Sequence, residues 1–471
     1  LYPPITDVNN LLTNFSPSLY NAANAPKFAN ATGTLLTVGT GDPLNGIVIA
    51  GKNSPFGNAI YAFDKGDIQP RIGITWDPAK TGRMILRSSY GMYYDQALVG
   101  IFEQNSFTNP PFVNTVSISS PRLSNPGAGT TATTTGLRSL IGNGDDFKTP
   151  RTQQWNVGMQ KQLYAHGMID VSYVGTHGDH LIRPVDINQP QPQDVLRLGG
   201  AGGAGFNLAR PYLGYGSIQM RETNARSNYW GILTAFKHEA GAAGSLTLNY
   251  TLSRNQTDAT NDRDSIDLPQ NPLDFAAEYA DARTDRRHIF SATYIYELPF
   301  FKNSGSTMMQ AVLAGWQVAG ITNISSGQPV PRISELTNNF LRGSRANLVG
   351  NPNAGNQTAN LYWFDPAAYA PAADGTYGTS VRSEFRQPPR NQTDLALSKN
   401  WKFNGSQRMQ FRADFINAFN HTQWLANATA DGLDNTCATS LTTCNPSNDT
   451  FGQILAARAP REIQLGLKFY W

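Results

Sequence analysis

Asp285-Arg286-Arg287-His288 sets an acid, two guanidiniums and an imidazole in consecutive positions, a combination that could move a proton in catalysis. The next residues alternate Phe290, Ala292 and Tyr294 with other side chains. The motif therefore opens a strand, and the plainer reading is a polar cluster that ties a loop to a wall. His177-Gly178-Asp179-His180 places two histidines around a glycine turn. His and Asp ligate metals, but without a third fixed ligand the stretch reads as an ordinary turn. Asp258, Asn261, Asp262, Asp264 and Asp267 form an oxygen-rich run. Calcium favours such ligands, yet the glycine of an EF-hand is missing, and a solvated acidic loop is the simpler reading. Gly199 to Gly205 lacks the Lys-Ser/Thr pair and the following helix of a phosphate loop. No GxSxG, HExxH or CxxC occurs. These residues predict neither an enzyme nor a metal or cofactor site.

Cys437 and Cys444 stand close together in a polar stretch. In an oxidising compartment they would form a disulfide closing a small loop; two free thiols are the alternative, and zinc would need two further ligands nearby. The 471 residues carry 37 Lys+Arg against 34 Asp+Glu. This near-balance speaks against a nucleic-acid partner, which calls for a basic face. Charged residues make up only 15%, below the roughly 25% of soluble proteins, while mean hydropathy is −0.38. Asn, Thr, Ser, Gln and Gly supply the polarity, which suits a β-rich chain with long polar loops. The longest nearly apolar stretch, Ala311 to Ile321, is too short to span a bilayer as a helix. The chain starts at Leu1 without a charged-then-apolar signal segment, which leads us to expect a processed chain or the C-terminal part of a longer one.

The elements that position these residues are strands. Ile463, Leu465, Leu467, Phe469 and Trp471 alternate with Glu462, Gln464, Gly466, Lys468 and Tyr470, giving one apolar and one polar face. The same period predicts eleven strands at 69–77, 83–94, 152–163, 167–175, 226–238, 244–253, 287–298, 314–325, 392–403, 407–419 and 461–471. Most are longer than the 5–6 residues usual in soluble sheets and match the roughly 9–11 of a tilted membrane-spanning strand. Links at 78–82, 164–166, 239–243, 299–313 and 404–406 alternate with long ones at 95–151, 176–225, 254–286, 326–391 and 420–460. An outer-membrane barrel has this asymmetry, with short periplasmic turns and long extracellular loops.

Hairpin parity predicts specific pairs: Phe403 with Gln407, Trp401 with Met409, Leu397 with Ala413, Leu163 with Gly167, Met159 with Val171 and Val157 with Tyr173. Trp76, Trp316, Trp401 and Trp471 then fall at the short-turn rim. Tyr94, Trp155 and Trp230 fall toward the other, as bilayer interfaces select. Lys161 and Lys399 share the apolar parity, and both are expected to snorkel to headgroups. Eleven strands cannot close an antiparallel barrel, because the first and last run parallel; 33–50 is the one weak candidate for a twelfth, and strands upstream are the favoured explanation.

The chain resembles the C-terminal half of the barrel in TonB-dependent outer-membrane receptors, of the Oar-like subgroup with a carboxypeptidase-regulatory-like N-terminal domain. The resemblance covers 68–471. It rests on Thr149-Pro150-Arg151-Thr152-Gln153-Gln154-Trp155-Asn156, Val171 to Gly178, Asp285 to His288 with Tyr296-Glu297-Leu298-Pro299-Phe300, Gly315-Trp316-Gln317, Ser326-Gly327-Gln328-Pro329, Phe415 to His421 and Ile463 to Trp471. It implies a barrel of twenty-two strands, of which eleven are seen here, with a plug and TonB contact in an N-terminal part that this sequence lacks. It also implies that Ile463, Leu465, Leu467, Phe469 and Trp471 form a signal read by the barrel-assembly machinery. Residues 1–68 would be an extracellular loop region or the end of a truncated upstream part, and 69–471 the barrel half.

The expected protein is an all-β outer-membrane receptor or transporter of Gram-negative cells. Lipid, the TonB system and the assembly machinery are its expected partners. Its ligand is unknown, and the resemblance suggests a large one: a peptide, a protein or a glycan fragment. A structural or adhesive surface protein, assembled through exposed strand edges, is the alternative.

Overall fold

The computed structural model describes residues 4–7, 9–113, 124–125, 134–199, 205–259, 268–330, 334–335, 345–353, 362–403, 406–425, 436–437 and 450–471. Eleven strands follow one another through one antiparallel meander. They are β1 (Arg71–Trp76), β2 (Met84–Tyr94), β3 (Arg151–Tyr164), β4 (Gly167–Asp186), β5 (Tyr215–Glu239), β6 (Gly244–Thr257), β7 (His288–Glu297), β8 (Trp316–Ser325), β9 (Arg390–Lys402), β10 (Arg408–Ile416) and β11 (Glu462–Tyr470). All eleven are the strands that alternation predicts. Arg138–Asn143 joins the sheet by pairing parallel with the outer part of β5, and Ala280–Asp281 pairs β6. The sheet is not closed: β1 and β11 are its edges. Residues 33–50 supply no wall strand; Leu35–Thr37 pairs Thr134–Gly136, and Ile47–Ile49 pairs Thr13–Phe15.

The register carries one apolar face across all eleven strands, because directly opposed residues share a face. Phe469 faces Met409, which faces Trp401. Leu397 faces Val318, which faces Tyr296. Val157 faces Tyr173, which faces Ile232. Met159 faces Leu86, which faces Trp76. The other face is polar: Arg87 donates to Gln160 at 2.8 Å, and Asn156 donates to Ser89 at 2.5 Å. Where an outward ring must lie flat, the facing position is glycine. A Cβ at Gly175 would stand 2.3 Å from the Trp155 indole.

Three details differ from expectation. At the β3–β4 turn Gly167 pairs Tyr164, and a bulge at Leu163 restores the predicted pairs Met159–Val171 and Val157–Tyr173. Strands β4 and β5 do not stop at 175 and 226. They continue as a ribbon to Asp186 and back from Tyr215, so the true connection is 187–214. The ribbon is covered on both faces, which removes the alternation that marks the wall below. Lys399 does not reach headgroups. It is 2% exposed, lies 5.6 Å from the Trp316 ring centre and 5.5 Å from that of Trp401, and donates to the Ala314 carbonyl.

The described apolar cores lie beyond the wall, among the long connections. One core joins Phe15, Ile47, Ile49 and Leu140 to Tyr215, Ile218 and Met220 of β5. A second joins Leu12, Ile60, Tyr61, Ile101, Phe102 and Phe147. A third gathers Val330, Phe364, Tyr369, Phe385, Phe451 and Ile454. Leu12, Phe15, Ile47, Ile49, Ile60 and Tyr61, all before β1, thus pack with the long connections. Asn14 fixes them there by a reciprocal pair, donating to the Asn143 carbonyl and accepting from its N–H, both at 2.8 Å.

Candidate ligand-facing surface at the long-loop rim

The Asp285-Arg286-Arg287-His288 motif stands where β7 leaves the loop layer. Asp285 accepts the Asn255 N–H at 2.6 Å and meets Arg386, from the β8–β9 connection, at 2.5 Å. Arg386 also contacts Asp281 at 2.7 Å, and Asp281 takes Arg254 at 2.8 Å and Arg287 at 3.4 Å. Arg286 donates to Ser325 and to the Ser326 carbonyl, both at 3.2 Å. The motif ties loops to the wall, with the Asp285 carboxylate taken up by Arg386 and the Asn255 N–H and the neighbouring Asp281 by three guanidiniums.

Burial pulls the Asp281 pKa up, but Arg254, Arg386 and Arg287 outweigh it and hold the carboxyl below its usual range. A lowered folded pKa stabilises above the unfolded value, near 3.9, and that contribution is lost as pH falls through the folded value. Arg386→Met should therefore raise protease cleavage of the 326–389 connection at pH 7. The unchanged chain should keep its low cleavage rate at pH 5 and lose it only below about 4. Equal cleavage of the two chains at pH 7 would rule out the clamp.

Arg183 and Asp258 form a second junction, 2.8 Å apart with side chains 2% and 5% exposed. Asp258 also accepts the Arg226 N–H at 2.9 Å, and the Arg183 guanidinium lies 4.3 Å from the Phe275 ring centre. Arg221 donates to the Ile101 carbonyl at 3.0 Å and to Gln104. Arg345 meets Glu278, both buried. Of these residues only Asp258 stands out in the sequence, as part of an acidic run, although Arg183 and Arg221 stand in apolar surroundings within what looked like loop.

The His177–His180 stretch is part of β4. Asp179 receives Arg151 on both carboxylate oxygens, at 2.8 and 2.6 Å, and His177 Nδ1 lies 2.7 Å from Asn228 Oδ1. His180 takes the turn conformation, with φ of 52°. Among the described residues no three His, Cys, Asp or Glu converge as a metal site. Asp258 is an ion-pair partner; Asn261, Asp262, Asp264 and Asp267 lie outside the described residues, as do most of Gly199–Gly205, the Cys444 position and the Cys437 side chain.

A further basic group faces the polar side of this rim. Arg390 pairs in register with Ser325, the residue that Arg286 contacts. Gln423 accepts the Asn391 N–H at 2.9 Å, and its carbonyl accepts the Arg458 N–H. Burial, then Arg390 and Arg458, lower the Arg286 pKa. Among the described residues none of these three guanidiniums meets a carboxylate.

The predicted aromatics fall at two levels. Trp76 ends β1, Trp316 opens β8, Trp401 lies near the end of β9 and Trp471 follows β11, all toward the short turns. Trp155 and Trp230 both face Gly175, and Tyr94 lies farther out, opposite Arg151. Ile463, Leu465, Leu467, Phe469 and Trp471 are all exposed on the outward face of β11.

A family model described as an outer membrane beta barrel domain matches residues 1–464. The chain belongs to the outer membrane β-barrel domain family. No curated protein matches it. Among solved structures, the outer membrane transporter YddB from Escherichia coli aligns at 10% identity and TM-score 0.45, over 86% of this β-barrel domain and 41% of that chain. The ferripyoverdine receptor of Pseudomonas aeruginosa aligns at 10% and 0.37, over 85% and 32%. The copper transporter OprC aligns at 9% and 0.35, over 84% and 38%. The β-barrel domain thus spans less than half of each. Its place is the outer membrane, and the outward apolar face is the wall that such a place requires, since strands in lipid must bond every backbone group to one another.

Proposed function

We propose that this β-barrel domain is half of a TonB-dependent receptor of the Oar-like subgroup, a non-enzymatic protein that binds a large ligand through its long loops. The observation that carries the reading is the meander itself: eleven strands with one continuous apolar face, shorter links at one rim and folded, core-bearing loops at the other. In this reading the long loops are extracellular and further strands pair β1 and β11 to close a twenty-two-stranded barrel. The ligand is a peptide, protein or glycan fragment whose acidic groups meet Arg286, Arg390 and Arg458. Trp76, Trp316, Trp401 and Trp471 mark the periplasmic interface, and Tyr94, Trp155 and Trp230 the outer one. TonB acts on a part N-terminal to the barrel.

Deleting the gene should abolish growth on at least one nutrient from a panel of peptides, proteins and glycans, and TonB deletion should abolish growth on the same one. Loss that depends on this chain but not on TonB would overturn transport and favour the adhesive reading, in which β1 and β11 pair with other chains. In the last loop, Cys437 and Cys444 should be joined as a disulfide. Two alkylatable thiols under non-reducing conditions would count against that bond.

A further inference from the structure

Among the described residues, the connection from β7 to β8 is the one short-rim link with an α-helix. Thr307–Leu313 is capped by Ser306, whose side chain accepts the Met309 N–H at 3.4 Å. The helix's carbonyl end is held by three outward-facing wall residues. Trp316 Nε1 donates to the Val312 carbonyl at 3.0 Å, Trp401 Nε1 donates to Ala311 at 2.8 Å, and Lys399 donates to Ala314. Trp316, Lys399 and Trp401 stand on the same face as Val318 and Leu397 in the β8–β9 register. The helix therefore curls over the lipid-facing side of the wall, not into the lumen.

Its own side chains remain uncovered. Met308 is 79% exposed, Val312 56% and Met309 47%, and helical spacing puts them on one face. Phe300, 61% exposed, and Phe301 lie just before it. The polar Gln310 turns back to donate to the Ser304 carbonyl at 2.5 Å. This patch is continuous with the outward belt, at the level of Trp76, Trp316 and Trp401. Lys302, 2.9 Å from Glu297, flanks it on the turn.

We infer that this helix is an interfacial anchor. Met308, Met309, Val312 and Phe300 would enter the headgroup–acyl boundary of the periplasmic leaflet, as apolar faces of surface-lying helices do. The anchor also accounts for the lysine on the lipid face. Lys399 needs a lid, and the chain just past the helix supplies one together with the Trp316 and Trp401 indoles of the wall.

The test uses the full protein in phospholipid vesicles, with Cys437 and Cys444 changed to serine and an environment-sensitive fluorophore at Met308→Cys, Val312→Cys or Gln310→Cys. Lipids brominated near the headgroup should quench positions 308 and 312 several-fold more than 310, and aqueous iodide should show the reverse order. Equal iodide quenching at all three, with none from lipid, would overturn the anchor. Protection of 308 and 312 from both quenchers would overturn it too, because a protein would then cover the face. Heat-modifiable mobility of each labelled variant confirms that the wall has formed before quenching is read.

Discussion

Deleting Phe469 to Trp471 should remove the folded, heat-modifiable form of this chain from outer-membrane fractions. Phe469 and Tyr470 pair Met409 and Arg408 on β10, so the deletion takes the end of the last ladder. It also removes two of the five outward side chains of β11. The Phe469 ring lies 6.4 Å from Phe403 and 6.5 Å from Trp471, a small aromatic cluster at the short-turn rim. Large apolar side chains contribute roughly 1.5–3 kcal/mol each when removed from water, so several kcal/mol are at stake. In the reading above, this end is also what the assembly machinery recognises. Tyr470→Ser is the control on the polar face. Arg408 stacks on Tyr470 at 4.2 Å, an exposed cation–π contact of about 0.5–1 kcal/mol, so that variant should still fold. Equal folding of truncated and intact chains would refute both the orientation of β11 and its role in assembly.

Asp258→Ala should open the β6–β7 connection. The substitution strands Arg183 in a buried site, and Glu222 opposite it is already engaged with Asn224. Breaking a buried pair from one side costs about 3–5 kcal/mol. The opened form should rise roughly a hundred- to a few-thousand-fold at 1.4 kcal/mol per decade. Asp258→Asn keeps an acceptor for the Arg226 N–H but not the charge, and should fall between. The readout is hydrogen exchange and protease cleavage at 258–259 and 268–287, with β9 and β10 as internal references. Unchanged protection would show that Arg183 gains its stability elsewhere.

The wall was legible because a lipid-facing strand must write its environment into every second residue. The period in Ile463 to Trp471 or Trp401 to Phe403 is a direct trace of that constraint, and it yields the register as well as the strand. The loop layer obeys no such rule. Where both faces are covered, as around Arg183, Val185 and Ile218, alternation disappears, and strands read as connection. The clamps at Asp281 and Asp285 involve Arg386, far away in sequence. Only the fold shows which of many arginines arrives there. Lys399 was legible as an anomaly, but not the chain just past the helix that covers it.

The β4–β5 ribbon behaves as a ruler. It carries its own outer end, with Tyr215, Ile218 and Met220 in one of the loop cores, about 3.3 Å farther out per residue of strand. Its graduations come in twos, because a strand shifted by one residue exchanges its faces. Adding two residues to each strand would keep its faces but lift the ribbon's outer end by about 6.6 Å, and so would strain the Arg183–Asp258 pair that ties it to the end of β6. Removing one residue from β4 between Gly178 and Arg183 would turn that guanidinium away from Asp258. The bulges at Glu222 to Ser227 are where such length errors can be absorbed. Variants of this domain that differ in ribbon length should therefore differ by even steps above those bulges, and by any number of residues at them.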